Sequence, residues 1–309
     1  TPLYSSAASD VYKRQARNCT FWIGTLASGS HTIKGRFASN YTGSTVTVSN
    51  RVLLIYIFDG GEFRYIDNST ASTTTSTALV DDNNASVTFT PPAPCKALIL
   101  YNISNSTGTT ETGSGKKAAI NVAGTDYSQA EKSPNDSNEA DSVFTVHALS
   151  LSAVSTTVKG RFASSGGTVT ISRRQLGVLL LADSTPMDIV TSDTEVSTTS
   201  SSLVDDNQAT ISRTTTDNRE LLVVAMGTKR TGASSSSYGE CYGISVNAVD
   251  RANSRGSPFA STDADSAATA WAENLTAGSH TVKGRFSTNT GTNTAKISSR
   301  RVVALWFPI

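Results

Sequence analysis

The stretch "SHTVKGRF" at residues 279–286 has near-copies in "SHTIKGRF" at 30–37 and "STTVKGRF" at 155–162. In each copy apolar and polar residues alternate with the two-residue period of a half-buried strand. Val282, Gly284 and Phe286 fall on one face, and Thr281, Lys283 and Arg285 on the other. The equivalent inward sets are Ile33, Gly35, Phe37 and Val158, Gly160, Phe162. A glycine between two bulky residues on an apolar face either lets an aromatic ring or the facing sheet approach closely or marks a bulge. Trp22 and Trp271, about one strand earlier, are the candidates to fill that space.

Sliding the chain against itself extends the match to a period of about 124 residues. "ALVDDNNASVTF" at 78–89 returns as "SLVDDNQATISR" at 202–213, and "SPNDSNEADS" at 133–142 as "SPFASTDADS" at 257–266. "KALILYN" at 96–102 lies opposite "ELLVVAM" at 220–226. Each KGRF strand is followed by a Ser/Arg-rich bridge and an apolar run: "SNRVLLIYIF", "SRRQLGVLLL" and "SSRRVVALWF". Residues 16–59 therefore read as the C-terminal part of one unit, 60–183 as a whole unit and 184–309 as another. So long a period makes each repeat a domain rather than a solenoid turn.

Within the last unit strands are expected near 188–191, 201–205, 208–213, 220–226, 239–248, 266–274, 280–287 and 294–307. Ser, Thr, Gly and Asn turns separate them. Seven or eight short strands in about 120 residues predict an all-β fold of tandem antiparallel β-sandwich domains. "ELLVVAM" and "KALILY" are apolar without alternation, as central strands are. The pattern from "LTAGSHTVKGRF" through "RRVVALWF" resembles the last hairpin of tumour-necrosis-factor-like jelly rolls. That resemblance covers roughly the last 40 residues of each unit. It implies jelly-roll architecture of the kind found in phage fibres and microbial surface proteins. Residues 1–15, "TPLYSSAASDVYKRQ", match nothing later in the chain and resemble a translated sequencing-library adapter. This implies a metagenomic fragment that lacks its true N-terminus.

The formal net charge is +1, which gives no reason to expect nucleic acid, and no apolar run approaches the roughly 18–20 residues of a membrane span. Lys34, Arg36, Lys159, Arg161, Lys283 and Arg285 point outward in all three copies. If the next strand, with Arg173 and Arg174 or Arg300 and Arg301, paired as a hairpin, each unit would carry a cationic stripe. A solvated sheet face explains such a stripe, and so does contact with the acidic turns of an adjacent unit, at Asp81 and Asp82 or Asp205 and Asp206. "LVDDN" lacks the spaced acidic pattern of a calcium loop and reads as an Asx turn ending a strand.

Cys19, Cys95 and Cys241 fall at non-equivalent positions of the copies and read as single buried thiols. No nucleophile elbow, metalloprotease helix, Cys–His pairing or phosphate loop is present in the sequence. No catalytic, metal or cofactor site is expected. Sequons at Asn40, Asn68, Asn84, Asn102, Asn105, Asn135 and Asn274 fit a secreted, glycosylated surface.

The expected function is a non-enzymatic extracellular structural protein, building a filament, sheath or surface layer with itself as homopolymer or homo-oligomer. The alternative is a virus or phage fibre whose domains bind host or cell-surface glycans through Tyr127, Tyr238 and Tyr242. Both readings place the chain outside the cell or on a cell or virion surface.

Overall fold

The computed structural model describes residues 20–36, 53–57, 62–108, 115–132, 141–231, 240–256, 264–288 and 294–309. The adapter-like segment, Cys19, Asn40, Asn135 and Tyr238 lie outside the described residues, as does the side chain of Asn105. Among the described residues there is no helix.

Nine strands come first: β1 (Glu62–Asn68), β2 (Ser72–Thr74), β3 (Val80–Phe89), β4 (Cys95–Gly108), β5 (Lys116–Val122), β6 (Thr125–Lys132), β7 (Asp141–Leu151), β8 (Thr156–Ser164) and β9 (Val169–Ala182). Nine more repeat them: β10 (Met187–Ser192), β11 (Val196–Thr198), β12 (Val204–Thr215), β13 (Arg219–Thr231), β14 (Glu240–Val246), β15 (Val249–Gly256), β16 (Ala264–Leu275), β17 (Gly278–Thr288) and β18 (Ala295–Pro308).

Each set builds two antiparallel sheets. In the first set one sheet runs β1-β9-β4-β7, with β2 continuing the β1 edge along β9, and the facing sheet runs β3-β8-β5-β6. The second set has β10-β18-β13-β16, with β11 on β18, facing β12-β17-β14-β15. This strand order is that of a jelly roll: apart from the β1–β2 edge, the β5–β6 hairpin and their counterparts, successive strands alternate between facing sheets. The expected hairpin between the KGRF strand and its successor is therefore absent. β8 and β9 belong to opposite sheets, as do β17 and β18. The cationic stripe disappears with it, because Arg174 and Arg300 are wholly buried between the sheets.

Two expected strand limits also change. The strand expected at 239–248 is β14, which ends at Val246, and an unexpected strand, β15, folds back on it through a turn at Asn247 and Ala248 with φ of 51° and 63°. Ala123 (φ 49°) and Gly124 (φ 90°) make the same turn between β5 and β6, as two-residue hairpins with left-handed centres require. Conversely, the strands expected at 201–205 and 208–213 are one strand, β12, interrupted by a register shift between Asp205 and Thr210. β3 carries the matching shift between Asp81 and Ser86.

KGRF has the two faces that its alternation predicts. Val158, Gly160, Phe162, Val282, Gly284 and Phe286 are buried, while Lys159, Arg161, Lys283 and Arg285 are partly exposed. In the first copy Ile33, Lys34 and Arg36 all lie exposed and outside any strand. The glycine hole is filled by tyrosines, not by the tryptophans expected there. A Cβ on Gly160 would lie 2.3 Å from the Tyr101 ring, and one on Gly284 would lie 2.8 Å from the Tyr242 hydroxyl.

The two tyrosines come from different sheets. Tyr101 reaches across from β4, where its counterpart in the second unit is Ala225. Tyr242 lies along the same sheet on β14, where the first unit has Ala118. Each sandwich thus holds one Tyr and one Ala over the glycine, exchanged between sheets, and the buried volume is conserved. Tyr101→Ala should cost about 3–5 kcal/mol by chemical denaturation. Adding Ala118→Tyr should recover much of the loss by reproducing the second unit's packing. A double variant as unstable as the sum of its single changes would refute the exchange.

Candidate functional site

The two repeated motifs meet. Across the bulge in β3, Asp81 pairs in register with Arg161 and Ser86 with Lys159, so residues 82–85 stand opposite Gly160 alone. Asp81 receives Lys159 at 2.6 Å and Arg161 at 3.1 Å, and Arg161 also reaches Asp126 at 2.5 Å. In the second unit Asp205 receives Lys283 at 2.5 Å and Arg285 at 3.3 Å, and Arg285 reaches Asp250 at 2.7 Å. The hydrogen bond from Lys159, with the charges of Lys159 and Arg161, holds the Asp81 carboxyl below its ordinary range. An open pocket of about 460 Å³ lies over this network, lined by Asp81, Asn121, Gly124, Thr157, Lys159 and Arg161. These cations contact carboxylates of their own unit, and Lys34 and Arg36 stand apart from both networks.

The second aspartate of each "LVDDN" turns inward. Asp82 Oδ1 accepts the backbone N–H of Asn84 at 3.2 Å, and Asp206 Oδ1 that of Gln208 at 3.1 Å. The Asx turn is thus real, but it makes a bulge within a strand instead of ending one. Among the described residues no acidic cluster suits a metal ion.

The bulge aims Asp82 across the sandwich at Arg174, whose Nε donates to Oδ2 at 2.8 Å with both side chains 0% exposed. Tyr101 donates its hydroxyl to the same oxygen at 2.9 Å. The guanidinium also donates to the carbonyls of Thr70 and Ile171. Burial, reinforced by Asp82, pushes the Tyr101 phenol well above its ordinary range, so it stays a donor.

In the second unit Asp206 and Arg300 stand 2.6 Å apart, an ion pair not aligned as a linear hydrogen bond. Arg300 donates further to Ile297 O at 2.6 Å, Gln208 Oε1 at 2.8 Å and Ser192 Oγ at 3.0 Å. Burial raises the Asp206 carboxyl above its ordinary range against the pull of Arg300 and the Gln208 amide. The Tyr242 hydroxyl has no hydrogen-bond partner among the described residues.

A second constellation joins the units. Val143 through Ala148 on β7 are all buried, on both faces of the strand, although β7 is an edge strand. The far side of the second unit's β10-β18-β13-β16 sheet covers it: Leu222, Met226, Val303 and Leu305 share one buried cluster with Phe144, Val146 and Ala148. Ser266 Oγ meets the backbone of Phe144 at 3.5 Å, Thr228 Oγ1 accepts Glu131 N–H at 3.3 Å, and Arg301 Nε donates to Ser128 Oγ at 3.3 Å. Ser128 Oγ lies 3.0 Å from His147 Nδ1, and His147 stacks on Tyr127 with centroids 4.3 Å apart. Burial first, and the Arg301 charge second, lower the His147 pKa to about 4.

The same seat recurs on the first unit. Phe21 and Ile23 lie over Gly177, the counterpart of Val303, where a Cβ would meet them at 2.8 and 2.6 Å. Gln175, the counterpart of Arg301, donates to Phe21 O at 2.9 Å and accepts Thr20 Oγ1 at 3.0 Å. Phe21 belongs to the N-terminal segment that aligns with β7. An edge of one unit thus rests on a sheet face of the next, twice.

The remaining candidate residues divide by exposure. Asn102 is wholly buried, with its amide donating to Gln175 at 3.3 Å, so a glycan there does not fit the fold. Asn68 and Asn84 are half-buried and engaged with Thr70 N–H and Ser72 Oγ, while Asn274 is exposed on β16. Tyr242 is fully buried and Tyr127 half-buried, so neither offers an open stacking face. Cys95 and Cys241 are buried thiols, as expected. Sequence reasoning missed the Asp82–Arg174 pair because "DD" and "RR" look alike in either orientation until a bulge and a facing sheet assign them.

No family model and no curated protein sequence matches the chain. Similar solved structures include an insecticidal delta-endotoxin from Bacillus thuringiensis, at 9% identity over 69% of this chain and 53% of that one, TM-score 0.25. A triple jelly-roll protein from an archaeal virus, solved with its turret assembly, matches at 13% identity over 82% and 61%, TM-score 0.22. The infectious bursal disease virus Gt strain matches at 9% over 81% and 78%, TM-score 0.23. The chain spans 53% and 61% of the first two, and its function is read below from its own residues.

Two outcomes are expected. Arg174→Met, which strands a buried carboxylate, should cost about 3–5 kcal/mol, and Arg174→Met with Asp82→Leu should cost distinctly less. Urea titration of the three variants checks this. His147 has a folded pKa below its unfolded value of about 6.5, so its contribution is complete above that pH. It is lost as pH falls from about 6.5 towards 4, when a second cation forms beside Arg301. Thermal melts across that window should slope less for His147→Gln than for the parent, and parallel slopes would count against a buried neutral imidazole.

Proposed function

We propose that the chain is a non-enzymatic structural protein of a virion, cell surface or extracellular filament, built from jelly-roll units that seat edge on face. The observation that carries this reading is the seam: β7 is an edge strand buried on both sides, and its seat is occupied on both described units. Such a heterologous contact joins unlike patches and propagates from unit to unit. Its apolar centre with a polar rim is that of a lasting interface rather than a passing encounter.

The polar residues that might have served chemistry support the same reading. Asp82, Arg174 and Tyr101 are committed to one another across the core, and Ser128 and His147 to the seam. The outward faces carrying Lys159, Arg161, Lys283 and Arg285 lie on β8 and β17, away from the seam strands β6 and β7, and there we place contacts between assembled copies.

Electron microscopy of the purified chain at rising concentration tests the proposal. Regular polymers, sheets or discrete knobs are expected, and Lys159→Gln with Lys283→Gln should weaken them. The fold should persist, because these pairs are partly exposed and worth at most about 1 kcal/mol each. A chain that stays monodisperse under every condition in which it is folded would overturn the structural role.

A further inference from the structure

A heterologous contact repeated along a chain makes an open filament if its rotation does not close and a ring if it does. The described residues distinguish the two. In a linear array the N-terminal unit, residues 16–59, would touch only the unit after it. Phe21 and Ile23 do lie on that unit, over Gly177. But Tyr56, from the same N-terminal unit, donates its hydroxyl to Glu220 Oε2 at 3.0 Å and packs at a tilt against Phe307 with centroids 5.0 Å apart. Glu220 and Phe307 are register partners on β13 and β18 of the last unit. Leu54, Tyr56 and Phe21 all pack against the cluster that holds Leu98 and Leu179 of the middle unit with Leu222 and Leu305 of the last. The N-terminal unit therefore touches both of the others.

We infer that the three units close a ring within one chain, arranged about a common pseudo-threefold axis lined by the outer faces of the β9 and β18 sheets and by segment 53–57 of the N-terminal unit. Tyr56, Leu179 and Leu305 hold equivalent positions in the three aligned apolar runs, and all three pack in the one cluster. The last seat follows from this arrangement. β15 and β16 of the last unit stand where β6 and β7 stand in the middle unit, with Arg251 and Trp271 in place of Tyr127 and His147. Trp271 is partly exposed, Arg251 lies 5.9 Å over its ring, and its indole N–H is buried without a partner among the described residues. Its occupant is the N-terminal unit's segment 53–57, which already reaches Phe307 and packs in the cluster beside Ala272 of β16. Closure is independent of the role proposed above, because it concerns contacts within one chain and not between copies.

Spin labels on Ile57→Cys and Ile309→Cys test the ring, since both side chains are exposed, 80% and 71%, and tolerate replacement. Cys19→Ser removes the remaining thiol outside the described core, and Cys95 and Cys241 are buried from labelling. A ring gives a distance well below the width of one unit, on the order of 35 Å, that survives dilution with unlabelled chain. A linear array puts an intervening unit between the labels, and only longer distances would overturn closure. A short distance that vanishes on dilution would also overturn it, because the contact would then lie between chains.

Discussion

A carboxylate and a guanidinium, both removed from water, cross the middle of each sandwich: Asp82 with Arg174, and Asp206 with Arg300. Burying two charges is costly unless they meet each other and their remaining hydrogen-bonding capacity is met as well. Much of the local structure meets that condition. The bulge in β3 exists where Asp82 must leave the outward row, and an Asx turn stabilises it through Asn84. Gly160 stands opposite the bulge because Tyr101 occupies the space above it while donating to the same carboxylate. Each pair links two sheets that share no backbone ladder, so it fixes how they are stacked as well as holding them together.

The second organising constraint is the far face of the Arg-bearing sheet. In an isolated sandwich that face would meet solvent, yet Leu222, Met226, Val303 and Leu305 are buried there. They are covered by the edge of the preceding unit, and the same position on that unit is covered by Phe21 and Ile23. Apolar area of this kind is a liability on a single domain and a seam in a tandem one. The seam also explains why His147 can be a buried neutral imidazole beside Arg301, where the N-terminal and last units carry tryptophan.

The glycine hole shows how two units with the same fold diverge without loss of packing. Tyr101 with Ala118 in one, and Ala225 with Tyr242 in the other, place one ring over the glycine from opposite sheets. The exchange is not equivalent in polar terms. Tyr101 bonds Asp82, whereas the Tyr242 hydroxyl finds no hydrogen-bond partner among the described residues, and Gln208 supplies an oxygen to Arg300 instead. Volume is conserved across the pair, and the polar network is rebuilt around it.

Strand alternation, the repeat period and the turn residues were legible in the sequence, and they sufficed for an all-β tandem sandwich and for the two faces of KGRF. Those signals are local: the side chain of a strand residue points up or down whatever lies above it. What lies above was not legible. That β8 and β9 part into facing sheets, that Arg174 lies inside while Arg173 pairs with Asp67 at the surface, and that tyrosines rather than tryptophans fill the glycine hole are decided by long-range pairing. Asn102 looks like any other sequon until β4 is placed at the centre of its sheet. The seam is the extreme case, since an apolar run reads the same whether its second face meets its own core or a neighbouring unit. Only the tertiary structure decides that, because burial belongs to the surroundings of a residue and not to the residue itself.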